Sequence, residues 1–344
     1  MAKSGDGRRR PTLEMVAERA GVGRGTVSRV INGSAQVSPR TREAVHNAIA
    51  ELGYSPNQAA RTLVTRRTDT IALVVSEPRD LLFTDPFFAD IIRGVSSVLH
   101  ERDLQLMLTT ARTDAEHKRI GDYLGGSHVD GALLVSMHRD DPLPTRLAEA
   151  GVPVVHGGRP HSPAEPTPYL VDIDNLGGAR LATRHLVDSG RRRVATITGP
   201  MDMNAGLERL RGYQEVLTEA GLGVDERLVV QGDFTAESGA EAMERLLDAG
   251  GEPDAVFVGS DLMALGALRV LRQREIRVPD DVAVVGFDDS IMAQHSEPSL
   301  TTVHQPTVRM GQEMARLLVD VAIPGGAEAE TVVLDTHLVM RDSG

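Results

Sequence analysis

The 344-residue chain has no cysteine and no tryptophan, only two lysines (Lys3 and Lys118), and 3% aromatic side chains. Without cysteine there is no disulfide, no thiolate metal site and no thiol nucleophile, and a reducing cytoplasm is the natural location. No apolar run approaches the roughly 20 residues that a membrane-crossing helix needs. The "RRR" at Arg8–Arg10 is not followed by an apolar core, so no secretory signal is expected. The usual catalytic patterns are missing too. There is no G-x-S-x-G around Ser260 and no H-E-x-x-H. His156 and His161 are five apart in a proline-rich loop, a poor metal spacing, and read as surface residues. Asp288 and Asp289 are adjacent carboxylates whose side chains diverge, which does not imply glycosidase geometry. The expectation is therefore no enzyme: no catalytic residue, no metal and no cofactor.

What is present is a split in charge. Up to Asp69 there are 12 Lys+Arg against 6 Asp+Glu, a balance of +6; after it there are 25 against 43, a balance of −18. Such asymmetry points to a basic module joined to an acidic one.

Within the basic part, Thr12 is a good N-cap for "LEMVAERA", whose Leu13, Val16, Ala17 and Ala20 share one face. "GVG" at Gly21–Gly23 breaks the chain. "RGTVSRVI" then predicts a second short helix with Val27, Val30 and Ile31 inward and Arg24, Gly25, Thr26, Ser28 and Arg29 outward. Ser38 caps a third helix, Pro39 suits its first position, and Gly53 ends it. Three short helices with a tight glycine turn between the first two form a helix-turn-helix, whose second helix enters the DNA major groove. Arg can address guanine bidentately, and Thr or Ser can reach phosphates or base edges. A small helical cap without DNA contacts is the alternative, disfavoured by the charge excess. "GVGRGT" is not a phosphate loop: G-x-G-x-x-G fails at Thr26, and the segment follows a helix rather than a strand.

"TLEMVAERAGVGRGTVSRVING" and "VSPRTREAVHNAIAELGYSPNQAARTLVTRRT" together closely resemble the LacI/GalR repressors. The resemblance implies that "SPNQAARTL" (Ser55–Leu63) is a hinge helix that forms in pairs on the operator, with Leu63 as an apolar wedge at the central base step. Wedges of this kind unstack a step and bend the duplex. It adds Thr12, Asn32, Tyr54, Asn57 and Ala60 to Arg24, Gly25, Thr26, Ser28, Arg29 and Leu63 as expected DNA-binding positions. Gly23 and Gly25 depart from the Ser, Thr or Gln common in the family. Gly25 removes one possible base contact.

The remainder alternates β-rich runs ("TIALVV", "LQLMLTT", "VDGALLVS", "VPVVHGG", "RVATITG", "AVFVGS", "VAVVGFDD") with amphipathic helices such as "FFADIIRGVSSVLHER" and "LMALGALRVLRQR". This alternation implies parallel sheets covered by helices, with ligands at the carboxyl ends of strands. The residues just after those strands suit a sugar: aromatic faces for the ring, and carboxylates, Arg and amides for its hydroxyls. Phe87, Phe88, Arg159, Arg209, Phe234, Ser260, Asp288 and Gln305 are the candidates. The competing readings are core packing for each Phe and a helix N-cap for an Asp, and Asp261 before "LMALGAL" is read as such a cap.

The span from about Thr70 resembles the periplasmic-binding-protein-like body of the same family, through "RLRGY", "SDLMALGAL", "VPDDVAVVGFDDS" and "PSLTTVHQP". The expected fold is thus α/β: an all-α helix-turn-helix head (1–54), a hinge and linker (55–69), and a body (70–344) of two doubly wound parallel-sheet subdomains. Crossings are expected near 168–176 and 300–306 and in the C-terminal segment. "HVDGALLVSMHRDDPLP", "VVHGGRP" and "GPMDMNAG" are similar to the cellobiose-responsive repressors of actinobacteria. That implies a dimer on a palindromic operator, released by cellobiose or a short cello-oligosaccharide, controlling cellulose-utilisation genes. Maltose or xylobiose as effector remains open, and a sugar-binding transport receptor is the reading from another class. The chain ends without a heptad tail, so a tetramer through a C-terminal coil is not expected.

Overall fold

The computed structural model describes residues 11–31, 36–54, 67–161, 168–326 and 329–344. The chain forms two compact units, one up to Thr68 and one from Asp69 onward.

The first unit holds α1 (Leu13–Ala20), α2 (Arg24–Ile31) and α3 (Pro39–Leu52). Thr12 Oγ1 accepts from the Met15 amide at 3.4 Å, and α1 closes at Gly21 with φ 66°. Ser38 Oγ accepts from the Thr41 amide at 3.2 Å ahead of Pro39, and Gly53, φ 59°, ends α3. Helices of eight residues do not persist alone in water. What holds them is a shared core of Val16, Val27, Val30, Val45, Ala48 and Tyr54, worth roughly 1.5–3 kcal/mol for each large apolar side chain buried. Ile31 packs against that core only partly buried.

The second unit contains two six-stranded sheets. The first has the order β11-β5-β4-β3-β1-β2, with β1 Thr70–Val75, β2 Gln105–Thr110, β3 Gly131–Val135, β4 Val154–Gly157, β5 Tyr169–Ile173 and β11 Glu330–Leu334; every neighbouring pair is parallel. The second has the order β12-β10-β9-β8-β6-β7, with β6 Val194–Thr198, β7 Val229–Gln231, β8 Ala255–Val258, β9 Ala283–Asp288, β10 Thr301–His304 and β12 His337–Val339. There only β12 runs antiparallel, against β10.

The inner strands of each sheet are buried on both faces, so β1, β3 and β8 read as continuous apolar runs. Ile71, Leu73, Val75 and Leu133 point into one core, while Ala72, Val74, Ala132 and Leu134 point into another, the two-residue alternation of a strand. In the second sheet Ile197, Val256 and Val258 face one core, and Val194, Phe257 and Phe287 face the other.

The chain passes from the first sheet to the second after β5, returns through Gln305–Pro306 after β10, and crosses again between β11 and β12. The return segment is pinned by close helix packing. A Cβ on Gly94 would lie 2.1 Å from the Val308 carbonyl oxygen, and one on Gly311 would lie 2.5 Å from that of Ile91. The helices Pro86–Glu101 and Thr307–Leu317 therefore touch backbone to backbone. The strand β5 is not among the runs read from the sequence.

Candidate functional site

The strand ends of the two sheets line a cleft with two adjoining cavities. The first gathers Phe87, Phe88, Arg209, Phe234, Ser260, Asp288 and Gln305, together with Glu77 and Asp85. The second is lined by Arg159, Asp172, Asn175 and Asn204, and shares Phe87, Ser136, Met203, Ala205, Arg209 and Gln305 with the first. Arg159 thus lines only the second cavity, which the expected effector residues Phe87, Arg209 and Gln305 also reach.

Arg209, in the helix Asn204–Glu219, is 6% exposed. Its Nε donates to Asn175 Oδ1 at 2.9 Å and its Nη1 to the Gly259 carbonyl at 2.5 Å. The guanidinium carbon lies 3.7 Å from the Phe287 ring centroid and 5.9 Å from that of Phe234. Burial works against its charge, and Asp288, Asp261 and Asp85 work for it. A guanidinium has five N–H groups, so donors remain for a ligand.

Asp288 ends β9. Gln305 Nε2 donates to its Oδ1 at 2.6 Å, and the Asp261 amide donates to its Oδ2 at 3.2 Å. Burial, with the Asp261 carboxylate close by, holds it well above the usual carboxylate range. Asp288 and Asp289 have φ of 129° and 59°. Two consecutive non-glycine residues at positive φ store backbone strain, a feature that clusters at ligand sites.

The expected cap at Asp261 is corrected. Ser260 is the N-cap of the helix Asp261–Gln273, its Oγ accepting from the Met263 amide at 3.3 Å. Asp261 follows it, 1% exposed, and accepts from Thr302 Oγ1 at 2.6 Å and the Ser290 amide at 2.7 Å. These two outside donors draw its carboxylate away from its own helix. Burial pushes it up to about 7. Asp85 caps the helix Pro86–Glu101, accepting from the Phe87 amide at 2.9 Å, and burial pushes it up to about 6.

Phe87 and Phe88 meet edge to face, centroids 5.2 Å apart. Phe88 is 3% exposed, belongs to the core of the first sheet and also lines the first cavity. Phe234 has φ 68°, and its ring occupies the space beside Gly199, where a Cβ would fall 2.2 Å from Cζ. In the second cavity Arg159 Nε pairs with Asp172 Oδ2 at 3.2 Å. At the rim, His138 Nδ1 lies 2.8 Å from Asp202 Oδ2 and its Nε2 lies 3.4 Å from Glu77, tying the loop after β3 to the loop after β6. His156 is not a surface residue. It lies in β4 between two neighbouring strands, 4% exposed, and burial pushes it down to about 4. His161 is half-buried.

In the head, Arg24, Gly25 and Arg29 are exposed on α2, and Thr26 and Ser28 are half-buried. Arg24 pairs with Glu14 at 3.1 Å, both side chains largely in solvent, a pair that costs little to break. Thr12 is exposed and spends its hydroxyl oxygen on the α1 cap. Tyr54, expected as a DNA contact, is 9% exposed and packs in the head's core. Asn32, Asn57, Ala60 and Leu63 lie outside the described residues.

Residues 12–57 match the family model "Bacterial regulatory proteins, lacI family", and residues 183–344 match that of a periplasmic binding protein-like domain. The HTH-type transcriptional regulator CelR of Thermobifida fusca is 62% identical over 98% of this chain and 99% of its own. The chain belongs to the lacI family. A second relative, the HTH-type transcriptional repressor PurR of Erwinia tasmaniensis, is 36% identical over 96% of each chain. Among solved structures, a transcriptional regulator CelR–cellobiose complex is 60% identical with a TM-score of 0.79, covering 97% of this chain and 100% of that one. The lac repressor dimer bound to operator and the anti-inducer ONPF is 29% identical with a TM-score of 0.86, covering 97% and 99%.

Glu77, Asp85, Asp172 and Asn204 line the cleft of this lacI-family chain without having been singled out from the sequence. Glu77 follows β1, so the strand-end rule could have found it. Asp172 sits within a strand and Asn204 opens a helix, where that rule is silent.

Proposed function

We propose that the chain is a sugar-responsive transcriptional repressor that binds a palindromic operator as a homodimer and releases it when cellobiose, or a short cello-oligosaccharide, fills the cleft. The regulated genes are then those of cellulose and oligosaccharide use, and the protein works in the cytoplasm. The observation that carries the reading is the near-full-length likeness to CelR, whose solved relative holds cellobiose. The cleft chemistry supports it. Arg209 offers a fork of donors, Asp288 and Gln305 offer acceptor and amide, Ser260 a hydroxyl, Phe87, Phe88 and Phe234 apolar faces, and Arg159 a further cation.

On the DNA side, Arg24, Gly25, Thr26, Ser28 and Arg29 form the reading face of α2. Thr12, Asn32, Tyr54, Asn57, Ala60 and Leu63 complete the expected contact set, with Leu63 as the wedge. An effector changes operator affinity only by binding the DNA-competent and DNA-released states unequally. In this reading sugar favours the closed cleft, and closure disfavours the paired hinge segments. No catalytic role is assigned. Titration calorimetry of the full chain with cellobiose, cellotriose, maltose and xylobiose tests the ligand. Cellobiose or cellotriose should bind at least roughly tenfold more tightly than the other two, about 1.4 kcal/mol; equal or reversed affinities refute it.

A further inference from the structure

We propose that His138 and Asp202 form a proton-strengthened latch between the two sheet subdomains, so that falling pH favours the closed cleft and tightens effector binding. The coupling to the effector rests on the sugar reading above. The latch crosses at the rim of the cleft and not inside it: neither residue lines either cavity. His138 belongs to the loop after β3, and its Nδ1 lies 2.8 Å from Oδ2 of Asp202, in the loop after β6. Beside it, Arg139 Nη2 donates to the Met201 carbonyl at 3.5 Å.

Both loops are held from behind. Asp141 is buried and accepts from Ser76 Oγ at 2.6 Å and from the Leu143 amide at 2.9 Å, and His117 Nε2 lies 3.2 Å from it. On the other side, a Cβ on Gly206 would lie 2.3 Å from the Pro200 carbonyl oxygen, so the Asp202 loop sits tightly on the helix Asn204–Glu219. A contact to a half-exposed charge is worth little when it must also order two chain segments; here much of that order is already present.

The charged groups around the ring come from three loops. Glu77, after β1, is 3.4 Å from Nε2; Arg112, after β2, places Nη1 2.7 Å from the same nitrogen; Asp202 holds Nδ1. Arg139 and Asp140 adjoin His138 in its own loop with cancelling charges. Nε2 cannot serve both of its neighbours at once. The neutral ring donates from Nδ1 to Asp202 and accepts from Arg112 at Nε2. The protonated ring donates to Asp202 and to Glu77, and the exposed Arg112 side chain turns away. The Asp202 bond persists in both states and joins two full charges in the second, the stronger kind. Burial opposes the charge on His138, but Glu77 and Asp202 outweigh it and hold the ring above its ordinary 6.5. Opening the cleft takes Asp202 away and lowers the ring's proton affinity. The closed form therefore keeps a proton that the open form gives up, and this advantage is lost as pH rises through the closed-form value.

The test has two arms on the full chain. The first follows the ring protons of His138 by NMR through a pH titration without sugar, the signal being identified by its loss in His138→Asn. Asp202→Asn should lower the midpoint by at least about half a pH unit; a midpoint that stays put overturns the latch. The second is calorimetric titration with cellobiose at about pH 6 and about pH 8, for the wild type, Asp202→Asn and His138→Asn. His138→Asn keeps a neutral donor for Asp202 but cannot titrate, so it decides if Asp202→Asn folds poorly; thermal unfolding checks both. The gain in affinity from the higher to the lower pH should be at least about twofold larger in the wild type than in either variant. The carboxylates of the cleft titrate alike in all three and cancel from that comparison. An equal gain in the variants overturns the proton coupling. A wild type that binds no cellobiose overturns the sugar reading, and the NMR arm then decides the latch alone.

Discussion

Arg209 holds its guanidinium carbon 3.7 Å from the centroid of the Phe287 ring, at the back of the cleft. The ring face and the two bonds to Asn175 and Gly259 fix the plane of the guanidinium before any ligand arrives. A donor fork held in place loses little entropy on binding.

Arg209→Lys should therefore fail although it keeps the charge. Lysine has neither the planar fork nor the stacking geometry. Loss of one charged hydrogen bond, about 1.5–3 kcal/mol, predicts sugar affinity weaker by roughly tenfold to a hundredfold in calorimetry. Sugar affinity equal to the wild type would remove Arg209 from the site.

Gly199→Ala tests the same cavity without touching a polar group. Its Cβ would fall 2.2 Å from Phe234 Cζ, so the ring must swing away from its place by the strand end. We expect a loss of about 1–3 kcal/mol of stability from overpacking and a drop of roughly tenfold or more in sugar affinity. Unaltered sugar binding would show that the ring's position is immaterial.

Stability should depend on pH through the buried carboxylates. Asp85 and Asp261 are held at about 6 and about 7 by burial, against 3.8 ordinarily. Between those values the folded chain keeps protons that the unfolded chain gives up. Their contribution to stability is full below about pH 3.8 and is lost as pH rises through about 6 to 7. Buried Asp288, raised as well, acts in the same sense; His156, held down to about 4 by burial, opposes them between about pH 4 and 6.5, and the exposed pairs that hold Asp225 and Asp281 down to about 2 oppose them only below the ordinary value. Urea unfolding should thus give a higher midpoint near pH 5 than near pH 7.5, and Asp261→Asn should flatten the difference. A midpoint that climbs over that range, or a slope untouched by Asp261→Asn, contradicts the assignment.

On the head, Arg24→Ala removes an exposed side chain whose ion-pair partner among the described residues, Glu14, is also exposed, so folding should change by less than about 1 kcal/mol. Operator affinity should drop by about 1–3 kcal/mol with relaxed preference at one base pair if Arg24 reads a base. Equal operator affinity in a binding assay at fixed salt would remove it from the reading face.

The strand-end rule reached Ser260 and Asp288 because β8 and β9 are short apolar segments with abrupt polar ends, and Gln305 because it directly follows β10. It could not reach Asp172, because the carboxylate interrupts the apolar pattern of β5 and hides the strand. His156 looked like a loop residue beside Pro153 and Pro160, and only the sheet order, with β4 between β3 and β5, explains its burial. The exchange of roles between Ser260 and Asp261 had a similar cause. It depends on Ser290 and Thr302, which lie 29 and 41 residues further along the chain and arrive only through the fold. In the head, cap residues and glycine stops are local signals, and α1 and α3 begin and end where those signals stand. The burial of Tyr54 was not legible, because it depends on how the three helices meet.

The central claim is that sugar and operator compete through one molecule. It is tested most directly by titrating the full chain, bound to its operator, with cellobiose and following DNA occupancy. Occupancy should fall as cellobiose saturates the cleft, by roughly tenfold or more in affinity, the 1–3 kcal/mol typical of such coupling. Operator binding that is unchanged or tightened at saturating cellobiose would contradict the account.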